Sequence, residues 1–534
     1  MELLMITPRF SFTDKKDYRY FTPLSLAYIS ASLKKAGYKL DYLNLNHNDG
    51  FVREILHKAF DKKKYDYILT GTIAYGYGHL EKIIAAAKSH RTNPKIILGG
   101  PLISSEPKLI FDDLKADFAV IGEGEETIVE LLDCLEKKGD LSKVKGLVFK
   151  EDKTIFTGTR KPIQNLDALP FPDYRSFEYE EYLNNVPCNL HHTTHFFDFP
   201  RPYYLLASRS CPFHCTFCYH DTEFRERTIN NIMKEIKSVV KKYKINVLII
   251  HAECFSLDMK RLKDFCKKIK KYREELDWDL RWIVQMSVLR VNGDVLKMMR
   301  DSGCLVLSYG FESMSPEVLK SMRKPITPKL IEDAFFKTLE LKMGVVGNFI
   351  FGDVAETKET AKETLDWWKK NAKGQIGLGF IQPYPNSEIY RHCLKKRIIT
   401  DKLDFIKNKI HRDHWLNITD NMTDKEIKQL RTEVLDAMGN YCKYITPKSV
   451  KHRKNKRYDF KVDCPFCKEP LEYKNCEIYS RWDYGFFTLC RHCLKRFFIV
   501  SPIQKLGYRY YSKLQGLREL KKRIKEILYK KIET

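Results

Sequence analysis

The sequence predicts an α/β architecture in three parts, and three observations predict it. Five short apolar or β-branched runs, ELLMI, KLDYLNL, DYILTGT, KIILGG and DFAVIGEG, alternate with segments such as LSLAYISASLKKAG and HLEKIIAAAKSH, whose apolar residues recur every three or four positions. The alternation resumes near residue 202 through six further runs, YYLLASRS, NVLIIHAE, LRWIVQMSV, CLVLSYGFES, VVGNFIFG and IGLGFIQPYP. Towards the C-terminus, Cys464 and Cys467 pair with Cys490 and Cys493 as two C-x2-C motifs separated by twenty-two residues. The first pattern reads as a doubly wound, flavodoxin-like parallel sheet and the second as a partial (β/α)6 barrel. The third reads as a zinc ribbon attached to a C-terminal helical region.

A chain of 534 residues is too long for one core, in keeping with that division. The expected boundaries are 1–150 for the sheet domain, 151–200 for a connector and 201–400 for the barrel. A helical region at 401–450, the ribbon at 451–500 and a basic amphipathic tail at 501–534 follow. The opening MELLMITPRF lacks a basic stretch, a long apolar run and a small-residue cleavage site, and no run of about 18 apolar residues occurs. A soluble, cytoplasmic protein is expected. In such a reducing compartment fifteen cysteines do not make a disulfide framework, and clustered ones point to metal or redox chemistry.

Net charge is +25, of which residues 441–534 carry +15, from 24 Lys and Arg against 9 Asp and Glu. Such a concentration suits nucleic acid, an anionic surface or a phosphorylated substrate; a lysine-rich solvated face is the plainer account.

In the first domain glycines gather at the ends of the third, fourth and fifth strands: Gly71, Gly76 and Gly78, then Gly99 and Gly100, then Gly122 and Gly124. Doubly wound sheets bind ligands beyond the carboxyl ends of their strands, where glycine lets a ligand approach the backbone. The connector opens on a predicted hairpin, GLVFKEDKTIFTG, and continues through LDALPFPDYRSF, where Pro170 and Pro172 interrupt regular structure.

The sharpest motif is SRSCPFHCTFCYH, which sets Cys211, Cys215 and Cys218 in the loop after the first barrel strand, at the barrel mouth. Three thiolates hold three irons of a 4Fe-4S cluster and leave the fourth iron open to an outside ligand. The competing reading is a structural zinc knuckle that borrows His214 or His220. Cys254 and His251, after the second barrel strand, read as a packed thiol and a satisfied histidine.

Four thiolates at the ribbon spacing close a tetrahedral site, so zinc there is structural, with rubredoxin-like iron as the competing metal. The glycine that usually follows each knuckle is replaced by Lys468 and Leu494. From Tyr511 the tail places Leu514, Leu517, Leu520, Ile524, Ile527 and Leu528 on one helical face, with basic residues opposite.

C-x3-C-x2-C with an aromatic residue, Phe217, before the last cysteine is the signature of the radical S-adenosylmethionine (SAM) family, which this chain resembles. TPLSLAYISASLKKAGYKLDYLNLN, ILGGPLISSEP and ADFAVIGEGEETIVELL resemble the cobalamin-binding domain that precedes the barrel in cobalamin-dependent members. The Leu-Pro-x-Pro-Asp linker is similar too, and the resemblance spans roughly residues 1–400. It implies that SAM chelates the open iron, that Glu312 in YGFESMSPEVLKSMRKPIT meets the SAM ribose, and that Gly347 and Gly352 in GNFIFGDVAET let the adenine lie against the backbone. The second strand lacks Gly-Gly-Glu for the methionine amino group, and Glu253 is the nearest substitute. The glycines from Gly71 to Gly124 would meet cobalamin. Many cobalamin domains carry Asp-x-His-x-x-Gly after the first strand; here no histidine lies between Pro8 and Pro23, so cobalt is expected without one.

The activity implied is methylation of an unactivated carbon of a small molecule, with a 5'-deoxyadenosyl radical opening the C–H bond and methylcobalamin supplying the methyl. An electron donor such as flavodoxin or ferredoxin is required. Two alternatives stay open: another radical reaction, such as ring closure, ring contraction or oxidation, and an RNA-modifying or RNA-binding protein using the ribbon and basic tail.

Overall fold

Strand β1 (Leu3–Thr7) is LLMIT and is buried at every position, as expected for a parallel strand covered on both faces. It pairs in parallel with β2 (Leu40–Asn44) on one side and β3 (Tyr67–Gly71) on the other, and β4 (Lys95–Gly99) and β5 (Phe118–Val120) continue the parallel run. The order β2-β1-β3-β4-β5 is that of a doubly wound sheet, whose ligand crevice opens where the winding reverses, between β1 and β3. Helices Leu24–Lys35, Val52–Lys62, Tyr77–Lys88 and Pro107–Leu114 fill the four crossovers. The computed structural model describes all residues except 12, 191–193, 220–221, 256, 411–415 and 510–534. His220 and the predicted tail helix from Tyr511 lie outside the described residues.

The hairpin read from GLVFKEDKTIFTG forms, as β6 (Leu147–Lys150) and β7 (Thr154–Phe156). Instead of standing in a connector, it extends the same sheet antiparallel from β5, bringing it to seven strands. Leu147, Val148 and Phe149 are buried, and β6 supplies the backbone partners that the β5 edge would otherwise lack.

The chain divides into two compact units, each assembled from three segments. The first comprises Met1–Val186, Arg201–Phe255 and Gln382–Leu416. It holds the seven-stranded sheet and a parallel pair made by β8 (Pro202–Leu206) and, further on, Val247–His251. Between these lie two short strands, β9 (Ser208–Arg209) and β10 (Arg225–Glu226), paired antiparallel; Val247–His251 is β11. Helix Ile229–Tyr243 is capped by Thr228, whose side chain accepts from the Asn231 amide. Inside it Glu235 is fully buried, 2.5 Å from Arg227 and bonded to the Tyr203 hydroxyl.

The second unit comprises Pro187–Pro200, Ser256–Ile381 and Asn417–Thr534. Four parallel strands, β12 (Arg281–Met286), β13 (Cys304–Glu312), β14 (Gly344–Phe351) and β15 (Gly377–Phe380), form its sheet. All six barrel strands read from the sequence are thus present, two in the first unit and four in the second. Helix Asp424–Tyr441 begins with a reciprocal Thr423 and Glu426 cap. The ribbon follows as two three-stranded sheets, and residues from the 187–200 segment sit against it. Cys188 donates its amide to the Asn475 carbonyl at 3.1 Å and shares an apolar core with Phe460, Val462 and Tyr473. Among the described residues no helix is long and apolar enough to cross a membrane.

Candidate active site

At the carboxyl edge of the seven-stranded sheet the glycines divide by what surrounds them. A Cβ on Gly71 would strike the Gly99 carbonyl, and one on Gly76 would strike the Thr72 side chain, so both are small for internal packing. One on Gly124 would come within 2.9 Å of Ile29. Gly100 turns with φ +93 directly before helix Pro101–Ser105, near the Thr72 carbonyl. Gly99 and Gly122 border open space, with nothing within 4 Å of where a Cβ would stand. The open edge therefore lies at the ends of β4 and β5.

The loop after β1, at the reversal of the winding, is braced by Arg9. Its guanidinium donates to the carbonyls of Leu45, Thr13, Asn48 and Gly50 and to the Asp14 carboxylate, at 2.7–3.2 Å. Further along this domain, His47 has one ring nitrogen on the Tyr20 hydroxyl and the other on Glu178, each at 2.7 Å. His79 is buried in helix Tyr77–Lys88, and burial pushes its imidazole down to about 4.

The three cysteines fall between β9 and β10, in the same unit as that edge. Cys215 is buried, and Cys211, Cys218 and Phe217 are half-buried. Ser210 enters the loop with φ +62, and its hydroxyl donates to the Thr222 carbonyl at 2.7 Å, closing the loop's base. The Cys211 and Cys254 sulfurs lie 3.7 Å apart, so Cys254 is a fourth thiol beside the loop. His251 stacks on Tyr204 with ring centres 5.7 Å apart. Glu253 is exposed in the turn after β11.

A charged network fastens this loop to the segment following β5. Glu123 receives both terminal nitrogens of Arg225, at 2.7 and 3.0 Å, and lies 3.3 Å from Arg209. Glu125 takes the other Arg209 nitrogen. Burial raises the Glu123 carboxyl, but the two arginines and the Ile163 amide outweigh it and hold the group below its ordinary value.

In the second unit, Glu312 ends β13 with φ +61 at a register shift opposite β14, and its carboxylate meets Lys324 at 2.9 Å. A left-handed non-glycine residue at such an irregularity is strained, a feature that clusters at functional sites. Gly347 and Gly352 differ. The space beside Gly347 is already taken by the Phe311 ring and the Tyr309 carbonyl, each 2.8 Å from where a Cβ would stand. Gly352, with φ +88, meets only the Phe380 ring at 3.7 Å, and its amide donates to Glu356 at 2.9 Å.

The ribbon cysteines come together, all four sulfurs lying within 4.8 Å of one another. The two knuckles repeat one geometry. Lys468 donates its amide to the Cys464 carbonyl at 3.1 Å and Leu494 to the Cys490 carbonyl at 3.0 Å. Lys468 (φ +67) and Leu494 (φ +56) take the left-handed turn that glycine would adopt without cost.

The B12 binding domain family matches residues 16–132, and the Radical SAM superfamily matches residues 205–367. The chain is a radical SAM enzyme. Its relatives include an uncharacterized methyltransferase of Pyrococcus horikoshii, 28% identical over 388 residues, covering 71% of this chain and 79% of the relative. An anaerobic magnesium-protoporphyrin IX monomethyl ester cyclase of Cereibacter sphaeroides is 24% identical over 468 residues, covering 85% of this chain and 71% of that one. The radical SAM methyltransferase TsrM from Kitasatospora setae shares the fold, with a TM-score of 0.59 and 16% identity over 74% of this chain and 77% of that chain.

The donor sets of this radical SAM enzyme fit the groups its two domains take. Cys211, Cys215 and Cys218 offer three thiolates from one loop, the set for a cluster with one open iron. Gly99 and Gly122 leave bare backbone at the carboxyl ends of β4 and β5, which fits close approach by a large cofactor such as cobalamin. Sequence reasoning missed Arg9, Glu123, Arg209, Arg225 and Lys324. Glu123, Arg209 and Arg225 have partners more than eighty residues away, Arg9 holds loop carbonyls, and Lys324 meets a strand-end carboxylate, none of which leaves a periodic signal in the sequence.

Proposed function

We propose that this radical SAM enzyme is a cobalamin-dependent methyltransferase that places a methyl group on an unactivated carbon of a small molecule. The observation that carries the reading is the three-cysteine loop fastened, within one unit, to the segment after β5 that borders the open glycine edge. The relative from Pyrococcus is named a methyltransferase, which supports the same direction.

Cys211, Cys215 and Cys218 would hold the cluster, and Phe217 would cover it. In the second unit Glu312 and Gly352 would meet SAM: the strained Glu312 carboxylate, held by Lys324, would accept from ribose hydroxyls. Gly99, Gly100 and Gly122 would let the corrin approach the strand ends, with Arg9 holding the β1 loop in shape. When bound, these groups supply one-electron cleavage of SAM and a transferable methyl. No histidine lies between Pro8 and Pro23, and His47, which follows β2, is held by Tyr20 and Glu178, so cobalt would go without a histidine from either. Cys464, Cys467, Cys490 and Cys493 would hold a structural zinc, because so small a unit needs metal to complete its core. An electron donor such as flavodoxin or ferredoxin is the partner this chemistry requires, and a reducing, cytoplasmic setting suits fifteen cysteines with no disulfide among them.

The test is anaerobic reconstitution with iron, sulfide, hydroxocobalamin, a reductant and SAM carrying a deuterated methyl, incubated with a metabolite extract and read by mass spectrometry. The expected result is 5'-deoxyadenosine together with a product that carries the label, both abolished in Cys215→Ala. A product that has lost two hydrogens and carries no label would instead favour ring closure, as in the name of the Cereibacter relative. A reconstituted enzyme that makes no deoxyadenosine would refute the reading outright.

A further inference from the structure

The loop presenting Cys211, Cys215 and Cys218 is closed at its base by β9 and β10, which are only two residues each. Their register sets Arg225 directly opposite Arg209. Like charges facing each other across an antiparallel pair repel. Here the repulsion acts where solvent is scarce, the two side chains being 5% and 15% exposed. Without compensating carboxylates such a pair would weaken two strands this short.

Glu125 balances Arg209 from one side, taking one guanidinium nitrogen and lying 3.4 Å from the other, and Glu123 is the carboxylate that reaches both arginines. Oε1 of Glu123 lies 2.7 Å from Arg225 and 3.3 Å from Arg209, and Oε2 receives Arg225 at 3.0 Å and the Ile163 amide at 2.8 Å. Arg225 also donates to the Ile163 carbonyl at 2.7 Å and to the Thr222 hydroxyl at 3.1 Å, tying the anchor to the far side of the loop. Bidentate arginine and carboxylate pairs fix orientation as well as charge.

From this geometry we infer that Glu123 is a positioning residue of the cluster site: by bridging Arg209 and Arg225 it holds shut the neck of the cysteine loop. The inference rests on the radical SAM reading of the three cysteines. Glu123 lies between Gly122 and Gly124, so one side chain joins the loop that would hold the cluster to the segment bordering the open sheet edge.

The experiment uses the full chain as wild type, Glu123→Gln and Arg225→Lys, each reconstituted anaerobically with iron and sulfide. Glutamine keeps the shape and removes the charge between the arginines; lysine keeps the charge and removes the fork. After transfer to EDTA both variants should lose iron at least about tenfold faster than wild type, the loss expected when charge-assisted bonds are removed at a poorly solvated site. The electron paramagnetic resonance spectrum of the reduced cluster should shift in both, while the thermal midpoint and the zinc content at the ribbon's cysteine quartet stay as in wild type. A general stability role would lower those two together with iron retention. Iron loss within twofold of wild type, with superimposable spectra, would overturn the inference. If Glu123→Gln fails to fold, Arg225→Lys decides by the same readouts. A wild-type chain that takes up no cluster is a different result, and it overturns the reading of the cysteines themselves.

Discussion

Replacing Glu356 by glutamine should change how the stability of the second unit depends on pH. Glu356 is 1% exposed, accepts the Gly352 amide at 2.9 Å, and receives the Thr360 hydroxyl at 3.1 Å. Burial pushes its carboxyl from 4.5 up to about 7; Asp353 adds to the rise and the two hydrogen bonds offset part of it. A group raised in the folded state favours folding while protonated. That contribution is complete below pH 4.5 and drains away as pH climbs through about 7. At 1.36 kcal/mol for each unit, the swing is about 3 kcal/mol. Glutamine keeps an acceptor for Gly352 and titrates nothing, so the variant should match wild type near pH 4 and exceed it by about that amount at pH 8. Urea unfolding followed by tryptophan fluorescence suits the measurement, because the buried Trp282 and Trp368 lie in the same unit. The infrared band of a protonated carboxyl should also be present in wild type at pH 6 and missing in the variant. Parallel stability curves for the two proteins across pH 5–8 would refute the reasoning.

Cys464→Ser with Cys490→Ser should abolish zinc binding and melt the ribbon sheets in hydrogen exchange, while the absorbance of a reconstituted 4Fe-4S cluster survives, since the two sites share no ligand. Lys468→Gly should stabilise the ribbon by about 1 kcal/mol, seen as slower zinc loss to a chelator, because glycine adopts the left-handed turn without the Cβ penalty and the lysine side chain is exposed; Leu494→Gly should destabilise it, because the buried leucine side chain is lost. Protein supplied with hydroxocobalamin should retain the corrin through gel filtration and give a cob(II)alamin spectrum without nitrogen superhyperfine splitting; a clear splitting would mean that an imidazole reaches cobalt.

Those parts of the fold and site that depend on neighbours in sequence were legible. Strands buried on both faces read as unbroken apolar runs, which is why LLMIT, KIILG and VLIIH stood out. Both cysteine motifs are set by local spacing. The hairpin at 147–156 was legible as a hairpin, but its periodicity says nothing about which edge it joins, and β5 claimed it. Glycine is equally mute: Gly347 and Gly352 look alike in sequence, yet Phe311 fills the space beside one and the other stays open. The neck of the cysteine loop was invisible because Glu123 and Arg225 are 102 residues apart, and a lone carboxylate or guanidinium ordinarily sits in water.

The segmented make-up of the two units bears on how the protein is made. The chain passes from one unit to the other after residues 186, 200, 255, 381 and 416, so no single cut frees either unit whole. Cys218 leaves the ribosome long before Leu416, the last residue of the unit to which it belongs. At about 5–20 residues per second that interval lasts roughly 10–40 seconds. Throughout it Cys211, Cys215 and Cys218 belong to a unit whose last segment has not yet been made.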